Sequence, residues 1–214
     1  AGGTQTVTGS VGSGAELKVV NAGANGSNST FSSDVNATNL NVTGTGNVNL
    51  NRSYNGTTLN YNSDGNVNLA DNKDINSAIT TTTNNTGTLA LAGTSTVSGQ
   101  VGTDTNKLKV VNAGATGETA TFSSDVFATN LNVTGTGTVN LNGSYSGTTL
   151  NYNADGSVNL ADNEDITSAI TITTNNTGTL ALAGTSTVSG QVGTNANKLK
   201  VVNAGATGET ATFS

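Results

Sequence analysis

Apolar and polar residues alternate along this chain in short bursts, separated by Gly, Asn, Asp, Ser and Thr. The clearest pair of bursts is Leu131-Asn132-Val133 and Val139-Asn140-Leu141, joined by the Thr/Gly stretch at 134–138. Successive side chains of a strand point to opposite faces. Leu131, Val133, Val139 and Leu141 therefore share an inward face, and Asn132 and Asn140 an outward one. Thr, Val and Asn fill the runs, and helix formers at helical spacing are missing, so period and propensity both predict strand. The breakers have definite roles: Gly supplies positive φ, and Asn and Asp tolerate it. Asp64-Gly65 and Asp155-Gly156 read as turns.

The pattern recurs. Residues 17–91 align without gaps on residues 108–182, and 62 of the 75 aligned positions are identical. A third copy starts again at Leu199-Lys200-Val201-Val202-Asn203. The chain thus reads as one continuous unit over 1–214, with copies at 1–91, 92–182 and 183–214. It opens inside one copy and stops inside a third, as a window on a longer chain would. Smaller units start at Leu89, Leu108, Leu131 and Leu150 and restart at Leu180, which are 19, 23, 19 and 30 residues apart.

A unit of this size cannot bury its own apolar face, and stacking units makes the faces continuous. The expected fold is all-β: a right-handed parallel β-solenoid with about three short strands per coil and about four coils per 91-residue repeat. Nine or ten coils would give a rod on the order of 45 Å long. Leu and Val would stack in ladders, with Phe31, Phe122 and Phe213 in one recurring layer. Asn at outward or corner positions would stack and hydrogen-bond from coil to coil. Proline is absent, as a ladder in which every central N–H pairs requires. A sandwich, or a string of small β-domains, is the alternative, and it lacks the visible linker that it needs.

Composition narrows the function more than it names one. With Leu, Ile, Val and Phe at only about a fifth of the chain, composition borders on that of disorder, yet charged residues are only 9% and the apolar positions are strictly placed. There is no Cys, His, Met or Trp, which removes disulfides, thiolate chemistry and the commonest general base. The net charge of −6 offers no basic patch for nucleic acid. No apolar run approaches the ~20 residues that span a bilayer, so no membrane insertion is expected within this segment.

Candidate chemistry is sparse. Asp71 and Asp74, repeated as Asp162 and Asp165, put carboxylates three apart in a loop that could take Ca²⁺. The Gly-rich nonapeptide of calcium-binding solenoids and the EF-hand spacing are both absent, and Lys73 becomes Glu164 between copies, so a polar turn is the favoured reading. The Thr-rich runs at 134–138 and 170–174 invite an ice-binding reading, but their spacing varies from unit to unit. A polysaccharide-acting solenoid needs clustered acids and bases; the only Arg, Arg52, is Gly143 in the next copy. No catalytic residue, metal or cofactor is expected. Tyr54 and Tyr145 fall on expected turns, either as exposed contacts for a sugar or, preferred, as cover for the solenoid flank. Asn41-Val42-Thr43 and Asn132-Val133-Thr134 match the glycosylation acceptor pattern, which so Asn- and Thr-rich a chain yields by chance.

Three stretches carry a resemblance: Asn-Leu-Asn-Val-Thr-Gly-Thr-Gly-Thr-Val-Asn-Leu-Asn at 130–142, Gly-Thr-Leu-Ala-Leu-Ala-Gly at 87–93, and Ser-Gly-Gln-Val-Gly at 98–102. They resemble the repeats of bacterial autotransporter passengers, filamentous-haemagglutinin-type adhesins and rickettsial surface antigens. The resemblance implies export, display on a bacterial cell surface, and a role as stalk, fibre or coat. Two readings of function follow. The first is a structural extracellular rod, able to associate end to end into filaments. The second is an adhesive module that binds glycan or a host or biofilm surface through its Asn/Thr faces.

Overall fold

A computed structural model describes residues 2–214. The described residues hold 21 strands and no helix. Every strand pairing is parallel, and each joins residues 19–25 positions apart. The chain is therefore a parallel β-solenoid, and following the partners sorts it into three faces.

On face one, Thr4–Val7 pairs with Asn28–Phe31, then with Asn47–Leu50 and Asn66–Leu69, and the column continues through residues 88–91, 110–113, 130–133 and 149–152. Face two runs Val11, Val35, Tyr54, Ile75, Val97, Phe122, Leu141, Leu160, Leu182. Face three runs Val20, Leu40, Leu59, Ile79, Val101, Val126, Tyr145, Ile166, Val188, Phe213, one residue from each of ten coils. Some strands round a corner without a break. Val35–Val42 starts on face two and ends on face three, and Val126–Val133 starts on face three and ends on face one.

The alternation seen in the sequence builds the core. Strand Val126–Val133 buries Val126, Ala128, Leu131 and Val133 and leaves Phe127, Asn130 and Asn132 part-exposed. Parallel stacking in register then sets like on like. Val48, Val67, Leu89, Val111, Leu131, Leu150 and Ile170 form one inward ladder on face one, each at most 1% exposed. Asn ladders run along the outside. The amide of Asn47 donates to Asn28 Oδ1 at 2.6 Å, that of Asn66 to Asn47 Oδ1 at 3.0 Å, and that of Asn68 to Asn49 Oδ1 at 2.9 Å.

The coil count agrees with about four coils per repeat and corrects the expected Phe layer. From Leu17 on face three to Leu108 on face one the chain completes four coils and passes one face more. A repeat thus holds thirteen face segments, which three does not divide. The 30-residue spacing between Leu150 and Leu180 is where the extra face enters: Leu150 stacks under Ile170 on face one, whereas Leu180 lies on face two above Val158. Phe31, Phe122 and Phe213 consequently do not share a layer. Phe31 pairs with Leu50 on face one, Phe122 with Val97 and Leu141 on face two, and Phe213 with Val188 on face three.

The Tyr residues are also placed differently. Tyr54 and Tyr145 lie on strands, and Tyr54, Tyr61, Tyr145 and Tyr152 are all fully buried. The hydroxyl of Tyr54 lies 2.7 Å from Thr58 O and 2.9 Å from Ala37 O, and that of Tyr145 2.7 Å from Thr149 O and 3.0 Å from Ala128 O. Each hydroxyl, with one proton to donate, thus lies between a carbonyl of its own strand and one of the preceding coil. Burial pushes the Tyr54 hydroxyl up to about 12 and the other three in the same direction.

Gly87 shows how tight the packing is. It has φ +86°, and a Cβ there would lie 2.6 Å from the Tyr61 ring; Gly178 repeats the arrangement with Tyr152. Gly117 has φ +77° with open space around it. Gly117→Ala should therefore cost about 1 kcal/mol, the left-handed backbone penalty. Gly87→Ala adds ring overlap and should cost about 3 kcal/mol or more. Urea midpoints of the two variants check this; equal midpoints would mean that the Tyr61 ring does not lie where it is placed here.

Candidate functional site

The corners gather most of the charged and turn-forming side chains. At a corner the backbone leaves the ladder and its N–H groups need other acceptors. Asp and Asn side chains supply them, each reaching one coil along the rod. Asp34 Oδ1 accepts from Ser53 N–H at 3.1 Å, Asp125 Oδ1 from Ser144 N–H at 3.0 Å, and Asn84 Oδ1 from Lys107 N–H at 2.9 Å. The acids considered for calcium do the same. Asp71 Oδ1 accepts from Thr94 N–H at 2.8 Å and Asp74 Oδ1 from Thr96 N–H at 2.8 Å. Asp162 and Asp165 repeat this with Thr185 and Thr187 at 2.8 and 2.7 Å. Asn72 and Asn163, between them, hold φ of 57° and 60°. Among the described residues no group of three or more Asp, Glu, His or Cys could hold a metal ion.

Two equivalent turns, one in each copy, carry a charge pair. Lys109 Nζ lies 2.7 Å from Asp64 Oδ2, and Lys200 Nζ lies 2.7 Å from Asp155 Oδ2. The second carboxylate oxygen in each accepts from a backbone N–H, that of Gly87 at 3.1 Å or Gly178 at 2.9 Å. Each pair spans 45 residues and so clips two successive coil steps. The Lys ammonium beside each carboxylate, and then the backbone donor, hold Asp64 and Asp155 below the usual carboxylate range.

The flat faces present amides and hydroxyls. Asn132 donates to Asn112 Oδ1 at 2.8 Å, and Asn41 donates to Asn21 Oδ1 at 3.0 Å. Both glycosylation-pattern residues are thus rungs of hydrogen-bonded ladders. Arg52 is exposed. Lys107 lies 5.6 Å from the Phe127 ring centroid and 2.8 Å from Ser146 Oγ, a cluster with no counterpart in the first copy, where those positions are Glu16, Asn36 and Asn55. Three buried hydroxyls, Ser77, Ser168 and Ser186, have no partner and face the interior. A cavity of about 420 Å³ opens at the first coil, lined by Val7, Val11, Val20 and Phe31 among others. Nothing in this set joins a nucleophile to a base or closes a pocket around one.

The coil-to-coil role of corner Asn was expected from the sequence and is seen at Asn84; that of the corner Asp was not. Its signal was the recurrence of turn acids in both copies, as Asp34/Asp125, Asp71/Asp162 and Asp74/Asp165. No family model, curated protein or solved structure matches the chain. Among the described residues no helix is long and apolar enough to cross a membrane.

The ion pairs set an expected pH response. A carboxyl whose folded value is depressed contributes stability that is fully present above its unfolded value, about 4, and is lost as pH falls through the folded value. Both Asp64 and Asp155 belong to this case. The urea midpoint of the native chain should therefore drop further between pH 7 and about pH 2 than that of the double variant Lys109→Met/Lys200→Met. An equal drop in both would show that these lysines do not hold the carboxylates ionised.

Proposed function

We propose that this chain is a stretch of a long extracellular structural rod on a bacterial surface: a stalk, fibre or coat component whose work is reach and stiffness. The observation that carries this reading is the continuity of the inward ladder on face three, which passes through every coil from Val20 to Phe213. A length of solenoid extends by adding coils, each stabilised by the one before. Repetition serves length, whereas a unique reaction site gains nothing from being copied. Surface display and bacterial origin rest on the resemblance of the repeat motifs.

End-to-end association into filaments belongs to the same proposal, as the resemblance of the repeat motifs to fibre-forming surface repeats implies.

Negative-stain electron microscopy of the purified chain should show rods on the order of 45 Å long, with longer threads at high concentration. Antibodies raised against it should label intact producing cells without permeabilisation. Compact round particles would refute the rod, and labelling only after permeabilisation would refute surface display. Saturable binding on a glycan array, lost when outward Asn residues are changed, would instead favour the adhesive reading.

A further inference from the structure

We infer that successive 91-residue copies show the same surface in three different directions, so that discrete globular partners can occupy consecutive copies at once. This goes beyond the rod reading and rests only on the strand register. The corner loop after Leu17–Ala22 holds Asn25, and its counterparts hold Thr116 and Thr207, all three exposed. Asn25 lies between a face-three and a face-one segment. Thr116 lies between face one and face two, because Leu108–Ala113 precedes it and Thr119–Phe122 follows. Thr207 lies between face two and face three, after Leu199–Asn203 and before Ala211–Phe213. The same loop thus occupies all three corners in turn.

The cause is arithmetic. Four coils and one face separate equivalent residues, so each copy is turned by one face, about 120°, and advanced by about 21 Å at the usual strand spacing. A patch returns to the same side only after thirteen coils, about 62 Å along the axis. A flat lattice or planar surface would meet every third copy. Globular partners wider than about 21 Å would collide if the copies faced one way, and face apart here. The kind of partner that fits is therefore a separate folded domain taken one per copy, arranged around the rod.

The chain has no Cys, so labels can be placed cleanly. Three double variants, Asn25→Cys/Thr116→Cys, Thr116→Cys/Thr207→Cys and Asn25→Cys/Thr207→Cys, would carry spin labels for pulsed distance measurement. With a triangular edge of about 20 Å, the expected separations are about 29, 29 and 46 Å. Copies facing one way would give about 21, 21 and 42 Å, the long distance twice the short one, and would overturn the inference. The triple Cys variant, coupled to biotin through a short tether, should bind three monovalent streptavidins per chain by mass photometry. Saturation at one would equally overturn it. A compact, non-rod particle with these distances would break the rod reading alone.

Discussion

Everything in this molecule depends on the hydrogen bonds between one coil and the next. A parallel ladder forces residues 19–25 apart into register, and the side chain of each residue then has no choice but to lie on its partner's. Inward positions must tolerate that company, which is why they are Leu, Val, Ile, Phe and Tyr set in columns. Outward positions must tolerate it too. Asn does so well because its amide both donates and accepts along the stack, as Asn28, Asn47 and Asn66 show. At the corners, where the ladder lapses, Asp and Asn lend an oxygen to the next coil. Charge serves this role here more than it serves chemistry.

The same constraint explains how near-identical copies can sit in different places. Phe31, Phe122 and Phe213 occupy the same place in the repeat, each between Thr and Ser, but stand on different faces. What each residue requires is the coil above and below, and those neighbours travel with it. Tyr54 and Tyr145 make the same two carbonyl contacts although one lies on face two and the other on face three. The solenoid cross-section is therefore close to threefold in its demands. Small irregularities, such as the register shift between Asn55 and Thr58 and its counterpart between Ser146 and Thr149, are likewise carried round the axis rather than accumulated on one side.

The alternation in Leu131–Asn142 and the 91-residue recurrence made the fold class, the strand placement and the outer Asn ladders legible in the sequence. The face assignment was not, because the spacing of unit starts reads naturally as whole coils. Only the pairing of Leu150 with Ile170, and not with Leu180, reveals the extra face. The Tyr residues misled because Ser-Tyr-Asn-Gly and Ser-Tyr-Ser-Gly have turn composition; the glycines there leave room for the Tyr hydroxyl, with a Cβ at Gly56 or Gly147 coming within 2.4 or 2.2 Å of it. The acids were readable as turn residues but not as inter-coil acceptors, since the donating N–H lies 19–23 residues away in sequence.

The most direct test of stacked parallel coils is a measurement of scalar coupling across individual backbone hydrogen bonds by nuclear magnetic resonance. The structure pairs Thr134 N–H with Ala113 O at 2.9 Å and Asn153 N–H with Val133 O at 3.0 Å. Coupling from the Thr134 amide nitrogen to the Ala113 carbonyl carbon, and from Asn153 to Val133, is the result that this account predicts. Coupling across the Thr/Gly turn, between the Leu131–Val133 and Val139–Leu141 backbones, would mean an antiparallel hairpin there and would contradict it.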